Sequence, residues 1–254
     1  MVLLHGFGAN GHTWNRWVPE LAVDHRVLVV EMKGAGASPK PLGENYGPEE
    51  QAALLHRLIL QRDLGEVTLV GHSLGGGIAL LTALHLLSED PSRLKRLVLV
   101  AGAAYPQPLP RYIRLASRPW LGPLALRLLP ASFLMRKALQ MAYHDPDLIT
   151  ASQVEAYAQP IRTPEARYAL SRMARQIIPN DMDAVVARYP EIRVPTLLIW
   201  GREDRIVPLG FGERLERDLP DARLEILEDC GHIPPEEKPE ESLKLLRSFL
   251  TEKG

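Results

Sequence analysis

Short apolar runs alternate with segments of helical periodicity along most of the 254-residue chain. Six runs, rich in leucine or β-branched side chains and bounded by turn residues, predict buried strands. They cover residues 2–4, 26–31, 67–70, 97–100, 196–200 and 224–227. Because these runs are continuous and do not alternate with polar residues, the strands are expected in a parallel sheet that is covered on both faces.

Helical spacing of apolar side chains connects the predicted strands. Trp14, Trp17 and Leu21 share one face of a first helix, with Thr13 as its expected N-cap. Further helices are predicted over residues 48–64, 74–87, 211–219 and 239–250. This alternation predicts an α/β protein with a doubly wound, mostly parallel sheet of about six strands and right-handed crossovers.

The pattern changes between residues 103 and 190, where helical stretches alternate with prolines. We expect a helical cap there, inserted into an α/β core formed by residues 1–102 and 191–254. The segment holds 10 Arg and 1 Lys against 6 Asp and Glu, or +5, which leaves −6 for the rest of a chain of net charge −1. The arginine excess could attract acidic acyl carriers or lipid headgroups, although a solvated basic face is the simpler explanation.

Composition excludes several classes of protein. A hydrophobic content of 46% and a charged content of 24% are ordinary for a globular protein with a sizeable core. The net charge of −1 and the pI of about 6.7 provide no overall positive potential that would attract nucleic acid, so no such partner is expected. Cys230 is the single cysteine, which excludes an internal disulfide. With no apolar run of membrane-spanning length and no basic leader before the first strand, we expect a cytoplasmic protein without stable membrane insertion.

Residues 71–75 read Gly-His-Ser-Leu-Gly, a G-x-S-x-G pattern between a predicted strand and a predicted helix. In that context the pattern forms a nucleophile elbow, a strained turn that lifts the serine hydroxyl clear of the sheet. Ser73 is therefore the candidate nucleophile. The alternative is a glycine-rich loop whose serine only caps the helix.

A second glycine pattern, Gly6-x-Gly8-x-x-Gly11 followed by Glu31, matches the dinucleotide-binding fingerprint. We reject this interpretation because Asn10-Gly11 would break the helix that the third glycine must occupy. The sequence also contains neither the P-loop pattern nor a metal-binding spacing among its 8 histidines. No cofactor and no metal ion are expected.

A serine nucleophile needs a base within hydrogen-bond reach and a carboxylate that orients the base. Behind a G-x-S-x-G turn, the acid and then the histidine follow on loops at the carboxyl ends of later strands. His232, after the last predicted strand, is the expected base. Asp204, after the preceding strand, is the preferred acid because Val207-Pro208 fixes its loop; Glu203 and Asp229 are rival acids.

The negative charge that develops on a carbonyl oxygen during acyl transfer needs hydrogen-bond donors fixed in advance. The backbone N–H of Leu74, directly after the nucleophile, is one candidate. The second is the N–H of Phe7, in the loop after the first strand. His5 is expected to support this loop and not to transfer protons.

Four segments, HGFG, GHSLGG, GREDRIVP and DCGH, together resemble the α/β-hydrolase family, in particular its lipases and carboxylesterases with a helical cap. The resemblance covers almost the whole chain. It implies hydrolysis of carboxylic esters through a covalent acyl-serine without a cofactor. Ser73 would be the nucleophile, Asp204 the acid and His232 the base, with Phe7 and Leu74 at the oxyanion hole.

Two features depart from that family. Glu31 stands where relatives usually carry Asp. The two strands that normally precede the one at residues 2–4 are absent, which would leave the strand at 26–31 as an exposed apolar edge. We therefore expect a homodimer, paired edge to edge or through a surface patch, or else poor solubility.

The predicted cap should cover Ser73 and supply an apolar acyl pocket. The candidate substrate-binding residues are His72, with its side chain turned away from Ser73, and Tyr112, Trp120, Phe133, Met135, Met141 and Tyr143. For each cap residue, packing between cap helices is an equally good explanation. The first hypothesis is a carboxylesterase or lipase acting on a small-molecule ester with an apolar acyl chain. The second is a C–C bond hydrolase of ring-fission products, an amidase or a perhydrolase on the same triad, and the third is a non-catalytic ligand receptor.

Overall fold

Six parallel strands form one sheet in the computed structural model, which describes residues 1–252. The strands are β1 (Val2–Leu4), β2 (Leu28–Val30), β3 (Val67–His72), β4 (Leu94–Val100), β5 (Thr196–Gly201) and β6 (Ala222–Leu227). Their order across the sheet is β2-β1-β3-β4-β5-β6. The predicted fold class, a mostly parallel α/β sheet, is confirmed.

Helices connect the strands and cover the sheet. In the described part of the chain they are α1 (Val18–Leu21), α2 (Pro48–Gln61), α3 (Leu74–Glu89), α4 (Arg111–Ser117), α5 (Leu121–Leu128), α6 (Ala131–Ala142), α7 (Ala151–Ala158), α8 (Pro164–Arg175), α9 (Met182–Ala187), α10 (Leu209–Asp218), α11 (Pro234–Glu237) and α12 (Pro239–Thr251). None of these helices is both long and apolar enough to cross a membrane.

The start of the first predicted helix differs from expectation. A 3₁₀ turn (Gly11–Trp14) precedes α1, and Asn10 is its N-cap because its side chain accepts from the His12 N–H at 2.8 Å. Thr13 is buried and forms a hydrogen bond with the Tyr157 hydroxyl at 3.0 Å. The expected N-cap role of Thr13 is therefore wrong; its hydroxyl contacts a distant helix.

Both faces of the sheet are covered, as a parallel sheet requires. Leu69 and Val70 of β3 point to opposite faces and belong to two separate hydrophobic clusters. The cluster around Leu69 includes Ile78 of α3, and the cluster around Val70 includes Trp17 and Phe249 of α12. The elbow strand is thus buried on both sides, which gives the turn after it a rigid support.

The strand order reverses between β1 and β3. The chain goes from β1 to β2 on one side, then returns to β3 on the other side of β1, where Leu4 pairs with Gly71. In parallel sheets, ligands bind outside the carboxyl ends of the strands at such a reversal. The segments beginning at His5 and Ser73 follow β1 and β3, so they meet at this point.

Strand β2 lies at one edge of the sheet, as expected, and pairs only with β1. It is shorter than the predicted range of 26–31, and its residues are half-buried. Pairing of two copies through this edge stays a prediction.

Residues 103–190, all described by the structure, carry six helices, α4 to α9, between β4 and β5. We call this segment the helical insertion. A capping box of Thr150 and Gln153 begins α7, and Thr163 caps α8. Such side-chain caps satisfy backbone N–H groups that would otherwise lack partners at a helix start.

Candidate active site

Ser73 occupies the turn between β3 and α3 with φ 53° and ψ −121°. This backbone conformation is strained for any residue with a side chain, and the surroundings must impose it. A Cβ at Gly75 would lie 2.5 Å from the Leu4 carbonyl oxygen, and one at Gly71 would clash with the Gly75 carbonyl. The Ser73 N–H donates to the Val100 carbonyl at 2.9 Å. The strained turn predicted from the sequence is therefore present.

His232 lies between Ser73 and Asp204. Its Nε2 is 2.8 Å from the Ser73 Oγ, and its Nδ1 is 2.7 Å from the Asp204 Oδ2. The other carboxylate oxygen of Asp204 accepts the N–H groups of Ile206 at 2.7 Å and Val207 at 2.9 Å. Because an ionised carboxylate only accepts hydrogen bonds, it holds the proton of the imidazole on Nδ1 and leaves the Nε2 lone pair facing the serine.

The rival acids named from the sequence do not contact the imidazole of His232. Glu203 accepts the Cys230 N–H at 2.9 Å, and Asp229 is exposed. Cys230 is buried, and burial raises the pKa of its thiol, which disfavours the nucleophilic thiolate. Of the three candidate acids, only Asp204 contacts the imidazole of His232.

Two further buried histidines support the loops around Ser73. The His72 Nε2 is 2.8 Å from the carbonyl oxygen of His232, and burial lowers the pKa of His72 to about 3, so the ring is neutral and donates this bond. The Nε2 of His5 accepts from the Met32 N–H at 3.2 Å, and its Nδ1 donates to the Gly6 carbonyl at 2.8 Å. Burial lowers the pKa of His5 to about 4. Both rings are therefore neutral and support these loops through hydrogen bonds to the backbone.

The loop after β1 lies directly against the elbow. A Cβ at Gly6 would be 3.0 Å from the Ser73 Cβ and 3.0 Å from the His72 Nδ1, so a larger residue would push these neighbours away and glycine favours this approach. The next residue, Phe7, lines the same cavity as Ser73. The Leu74 N–H belongs to the first turn of α3, where a helix offers no internal acceptor. These are the positions of the two predicted oxyanion donors.

A carboxylate that the sequence did not single out holds the backbone around His232. Glu237 of α11 is buried, and its Oε1 accepts the Ile233 N–H at 3.0 Å. Its Oε2 accepts the N–H groups of Gly231 at 2.9 Å and His144 at 2.7 Å. The residues immediately before and after His232 are thus fixed by one side chain.

The helical insertion is attached to the same loop. The His232 N–H donates to the Ala142 carbonyl at 2.7 Å. A Cβ at Gly231 would lie 2.6 Å from the His144 nitrogen, so residues 142–144 pack directly on the backbone of the histidine loop. The backbone N–H of the candidate base is therefore bound by the insertion and not by the core.

Glu236, adjacent to Glu237, forms a second buried contact with the insertion. Its carboxylate accepts the hydroxyl groups of Tyr143 at 2.9 Å and of Tyr157, and the Gln153 amide at 3.0 Å. Burial raises the pKa of Glu236 to about 7. A carboxyl group that changes charge near neutral pH thus lies between the core and the insertion.

A cavity of about 130 Å³ includes Ser73 and His232 in its lining and extends between the core and the insertion. One water molecule needs only about 10–15 Å³ by this measure, so the cavity has room for a larger organic group. Its lining is mostly apolar. Of the predicted substrate-binding residues, His72, Tyr112 and Met135 line it; the insertion also contributes Leu109, Ile113, Leu139, Ile178, Met182 and Val185, which the sequence did not identify.

Four predicted substrate-binding residues lie elsewhere. The side chains of Trp120, Phe133 and Met141 are 87%, 49% and 38% exposed and do not line the cavity. Tyr143 is buried, but its hydroxyl donates to Glu236 and its ring is not part of the lining. The prediction that these four residues form the acyl pocket is therefore wrong: three are on outward-facing surfaces of the insertion and one joins the insertion to the core.

Several known proteins are similar to this chain in sequence or structure. A family model described as alpha/beta hydrolase fold matches residues 1–239. The uncharacterized hydrolase YugF of Bacillus subtilis (strain 168) is 30% identical over 241 residues, covering 94% of this chain and 85% of that protein. A 2-hydroxy-6-oxo-2,4-heptadienoate hydrolase of Pseudomonas putida is 28% identical over 256 residues, covering 98% of this chain and 88% of that protein.

Among solved structures, a thermophilic esterase from Thermogutta terrifontis with bound malate superposes with a TM-score of 0.79 at 25% identity. The match covers 98% of this chain and 88% of that one. The similar proteins therefore include a heptadienoate hydrolase and an esterase.

Proposed function

The chain belongs to the alpha/beta hydrolase fold family, and from this premise we propose that it is a serine hydrolase that cleaves carboxylic esters with an apolar acyl group. The observation that supports the proposal is the series of hydrogen bonds from Ser73 through His232 to Asp204, at the wall of an apolar cavity. A receptor that only binds a ligand needs no such series, whereas nucleophilic catalysis by serine does.

In the proposed acylation step, the His232 Nε2 takes the hydroxyl proton of Ser73 while the Oγ attacks the carbonyl carbon of the ester. The bond to the alcohol oxygen then breaks, and His232 returns the proton to that oxygen. Asp204 stabilises the imidazolium that forms between the two transfers. In deacylation, a water molecule gives a proton to His232 while its oxygen attacks the acyl carbon. The bond to the Ser73 Oγ then breaks, and His232 returns the proton to that oxygen. The carboxylic acid is released and the serine hydroxyl is restored.

The oxyanion of each tetrahedral intermediate would be stabilised by the N–H groups of Phe7 and Leu74. Both positions are close to Ser73. Phe7 belongs to the loop after β1, which approaches Ser73 at Gly6, and Leu74 is the first residue of α3. A donor of this kind contributes about 3 kcal/mol to stabilising the transition state. The strained serine turn supports this arrangement because it fixes the nucleophile and one donor in the same turn.

The helical insertion is proposed to act as the cap of this site and to select the acyl group. Leu139 and Met135 of α6 and Ile113 of α4 line the cavity with hydrocarbon. Burying an acyl chain against such a surface contributes about 0.8 kcal/mol for each CH₂ group. Esters with longer neutral acyl chains should therefore bind more tightly than acetates until the cavity is filled.

The alternative activity is C–C bond hydrolysis, which the similarity to the heptadienoate hydrolase favours. A dienoate is a carboxylate, and a buried carboxylate without a charged partner is costly by several kcal/mol. Among the described residues, the side chains that line the cavity include no lysine or arginine. This lining suits a neutral acyl group better, so the ester is the proposed substrate.

A chain-length series of p-nitrophenyl esters tests the proposal, with 2-hydroxy-6-oxo-2,4-heptadienoate assayed beside it. We expect turnover that rises with acyl length, and a loss of at least about a thousandfold in Ser73→Ala. Ser88→Ala, at the other end of α3, is the matched control and should keep full activity, because the Ser88 hydroxyl donates to the Leu84 carbonyl and accepts from Arg188, neither of which lines the cavity.

Three results would contradict the proposal. Full ester turnover by Ser73→Ala would remove the serine mechanism. Faster cleavage of the dienoate than of any ester would assign the alternative activity. Failure of the wild-type protein to hydrolyse either class would leave the receptor hypothesis.

A further inference from the structure

Helix α5 exposes apolar side chains and buries its opposite side. The exposed fractions are 87% for Trp120, 48% for Leu121, 51% for Leu124 and 71% for Leu128. At the helical repeat of about 100° per residue, these positions span an arc of about 100° and form one stripe. Leu126, on the opposite side, is buried in a small cluster with residues of α4 and α8. The apolar stripe thus lies on the solvent-facing side of α5, opposite the side that packs against α4 and α8.

Helix α4 places positive charge beside this stripe. Its exposed positions include Arg111 and Arg114, Arg118 is exposed directly after its end, and α5 contributes Arg127. A Cβ at Gly122 would lie 2.9 Å from the Leu115 carbonyl oxygen, so α5 begins in tight contact with the end of α4 and the two exposed faces adjoin. We call the resulting area the α4–α5 surface; it consists of Arg111, Arg114, Leu115, Arg118, Trp120, Leu121, Leu124, Arg127 and Leu128.

The positive charges of the α4–α5 surface are not neutralised locally. The sequence from residue 91 to residue 144 contains no Asp or Glu. Among the described residues, the ion pairs that involve arginine are all formed by arginines outside this surface. The insertion as a whole carries +5 and the rest of the chain −6, so the charge of the molecule is strongly asymmetric.

We propose that the α4–α5 surface docks on an anionic lipid bilayer. Leucine and tryptophan side chains enter the boundary between headgroups and acyl chains, and arginines bind lipid phosphates, which is the two-signal combination that gives stable but reversible attachment. Attraction of basic residues to an anionic leaflet adds to the apolar burial. The exposed indole of Trp120 suits this boundary because one edge is apolar and the other can donate a hydrogen bond.

Pairing with a second copy of the chain is disfavoured by the same charges. In a two-fold dimer the same patch occurs on both sides of the interface. Two α4–α5 surfaces would bring four arginines of one copy against four of the other without a carboxylate between them. A bilayer containing anionic phospholipid supplies the complementary charge that a second copy lacks.

Docking in this orientation places the cavity close to the lipid. Arg111 and Arg114 are exposed on one side of α4, while Tyr112 and Ile113 on its other side line the cavity. One helix therefore separates the docked surface from the space beside Ser73. The docking itself does not depend on which bond the site cleaves.

Co-sedimentation of the full chain with vesicles tests the proposal. We expect binding to vesicles of equal parts phosphatidylglycerol and phosphatidylcholine, at least about tenfold weaker binding to phosphatidylcholine alone, and release at high salt. The triple variant Arg114→Gln, Arg118→Gln, Arg127→Gln and the double variant Leu124→Ser, Leu128→Ser should each bind at least about tenfold more weakly.

Matched substitutions outside the surface are the controls. Val23 is 80% exposed and Arg57 is exposed on α2, so Val23→Ser and Arg57→Gln remove the same kinds of side chain elsewhere and should bind like wild type. Because all these positions are exposed, the variants should stay folded, which circular dichroism checks.

Trp120 provides an independent readout. The other tryptophans, Trp14, Trp17 and Trp200, are completely buried, so a change of fluorescence on adding vesicles reports on Trp120. We expect a blue shift and quenching by brominated phosphatidylglycerol, both absent in Trp120→Phe. No binding to anionic vesicles, equal binding by the surface variants, or self-association that the surface variants abolish would overturn the proposal; the last result would assign the surface to a dimer.

Discussion

At the scale of single residues, replacing the Asp204 carboxylate by an amide should change which nitrogen of His232 carries the proton. It accepts three hydrogen bonds, two from the N–H groups of Ile206 and Val207 and one from His232. In Asp204→Asn the remaining oxygen can still accept from the loop, but the new NH₂ group then faces the His232 Nδ1. The imidazole proton is therefore forced onto Nε2, and a protonated Nε2 cannot accept the serine proton.

We therefore expect Asp204→Asn to fold normally and to lose about a thousandfold or more in kcat. The measurement is kcat and KM with the best p-nitrophenyl ester. Glu203→Gln is the matched control, because its carboxylate accepts the Cys230 N–H and not the imidazole. If Glu203→Gln lost as much activity as Asp204→Asn while keeping its fold, the assignment of the acid would fail.

Glu237 is expected to act through the backbone of the base. In Glu237→Gln the single amide oxygen cannot accept all three N–H groups, so at least one N–H near His232 becomes unpaired, at a cost of about 1–3 kcal/mol. We expect kcat to fall by at least about tenfold with little change in KM, because the base is displaced while the cavity keeps its shape. Glu241→Gln, on the exposed side of α12, should change neither. A change in KM alone would show that Glu237 supports the cavity and not the base.

Glu236 should make stability depend on pH in the opposite sense to an ordinary ion-paired carboxylate. Burial raises its pKa to about 7 in the folded protein from an ordinary value of 4.5, so the folded state keeps a proton that the unfolded chain releases. The free energy of unfolding should therefore fall as pH rises from about 4.5 to about 7, by about 3 kcal/mol. Urea unfolding across this range should show the fall in wild type and much less of it in Glu236→Gln. An identical pH dependence in both proteins would contradict the assignment.

The residues proposed for catalysis could be found in the sequence because their spacing follows local rules. Ser73 is marked by its glycine neighbours, and His232 and Asp204 by their places after successive strands. Glu236 and Glu237 could not, because the partners of Glu236 and one of the three N–H groups bound by Glu237 are contributed by residues 143–157 of the insertion. In the sequence the two glutamates look like the acidic first turn that many helices carry, and only the fold shows that they are buried.

At the scale of elements, α6 shows where pattern analysis fails. The helix carries apolar residues on more than one face. Periodicity therefore predicts that the helix packs against other elements, but it does not indicate which face points inward. In the structure Met135 and Leu139 line the cavity, while Phe133 and Met141 face outward. The direction is set by contacts with α7 and with the histidine loop, which no local pattern encodes.

A substitution on the inward face of α6 should change acyl preference. Met135→Trp adds bulk to the cavity wall, so we expect the longest accepted p-nitrophenyl ester to become shorter while short esters keep kcat/KM within about threefold of wild type. Phe133→Trp, a change of similar kind on the outward face, should leave the chain-length profile unaltered. An unchanged profile in Met135→Trp would place the acyl group outside this cavity.

At the scale of the whole molecule, the sheet could be predicted and the attachment of the insertion could not. Continuous apolar strands alternating with amphipathic helices allow few arrangements besides a parallel, doubly covered sheet. The order β2-β1-β3 then brings the loops after β1 and β3 together, which positions the predicted oxyanion loop against Ser73. The docking of the insertion depends on a few polar groups at positions 142–157, and proline-interrupted helices give no signal of where they will attach.

The bond from the His232 N–H to the Ala142 carbonyl has a consequence for the modular behaviour of this chain. A lid that merely covers a site can be exchanged between homologues to transplant substrate preference. Here such an exchange would also remove the acceptor of the backbone N–H of His232, the proposed base. A chimera that replaces residues 103–190 would therefore have both a different cavity lining and a less firmly held imidazole. Recombination that retains residues 142–144 would keep the hydrogen bond to the His232 N–H, so the cavity lining could be changed without loss of this support for the imidazole.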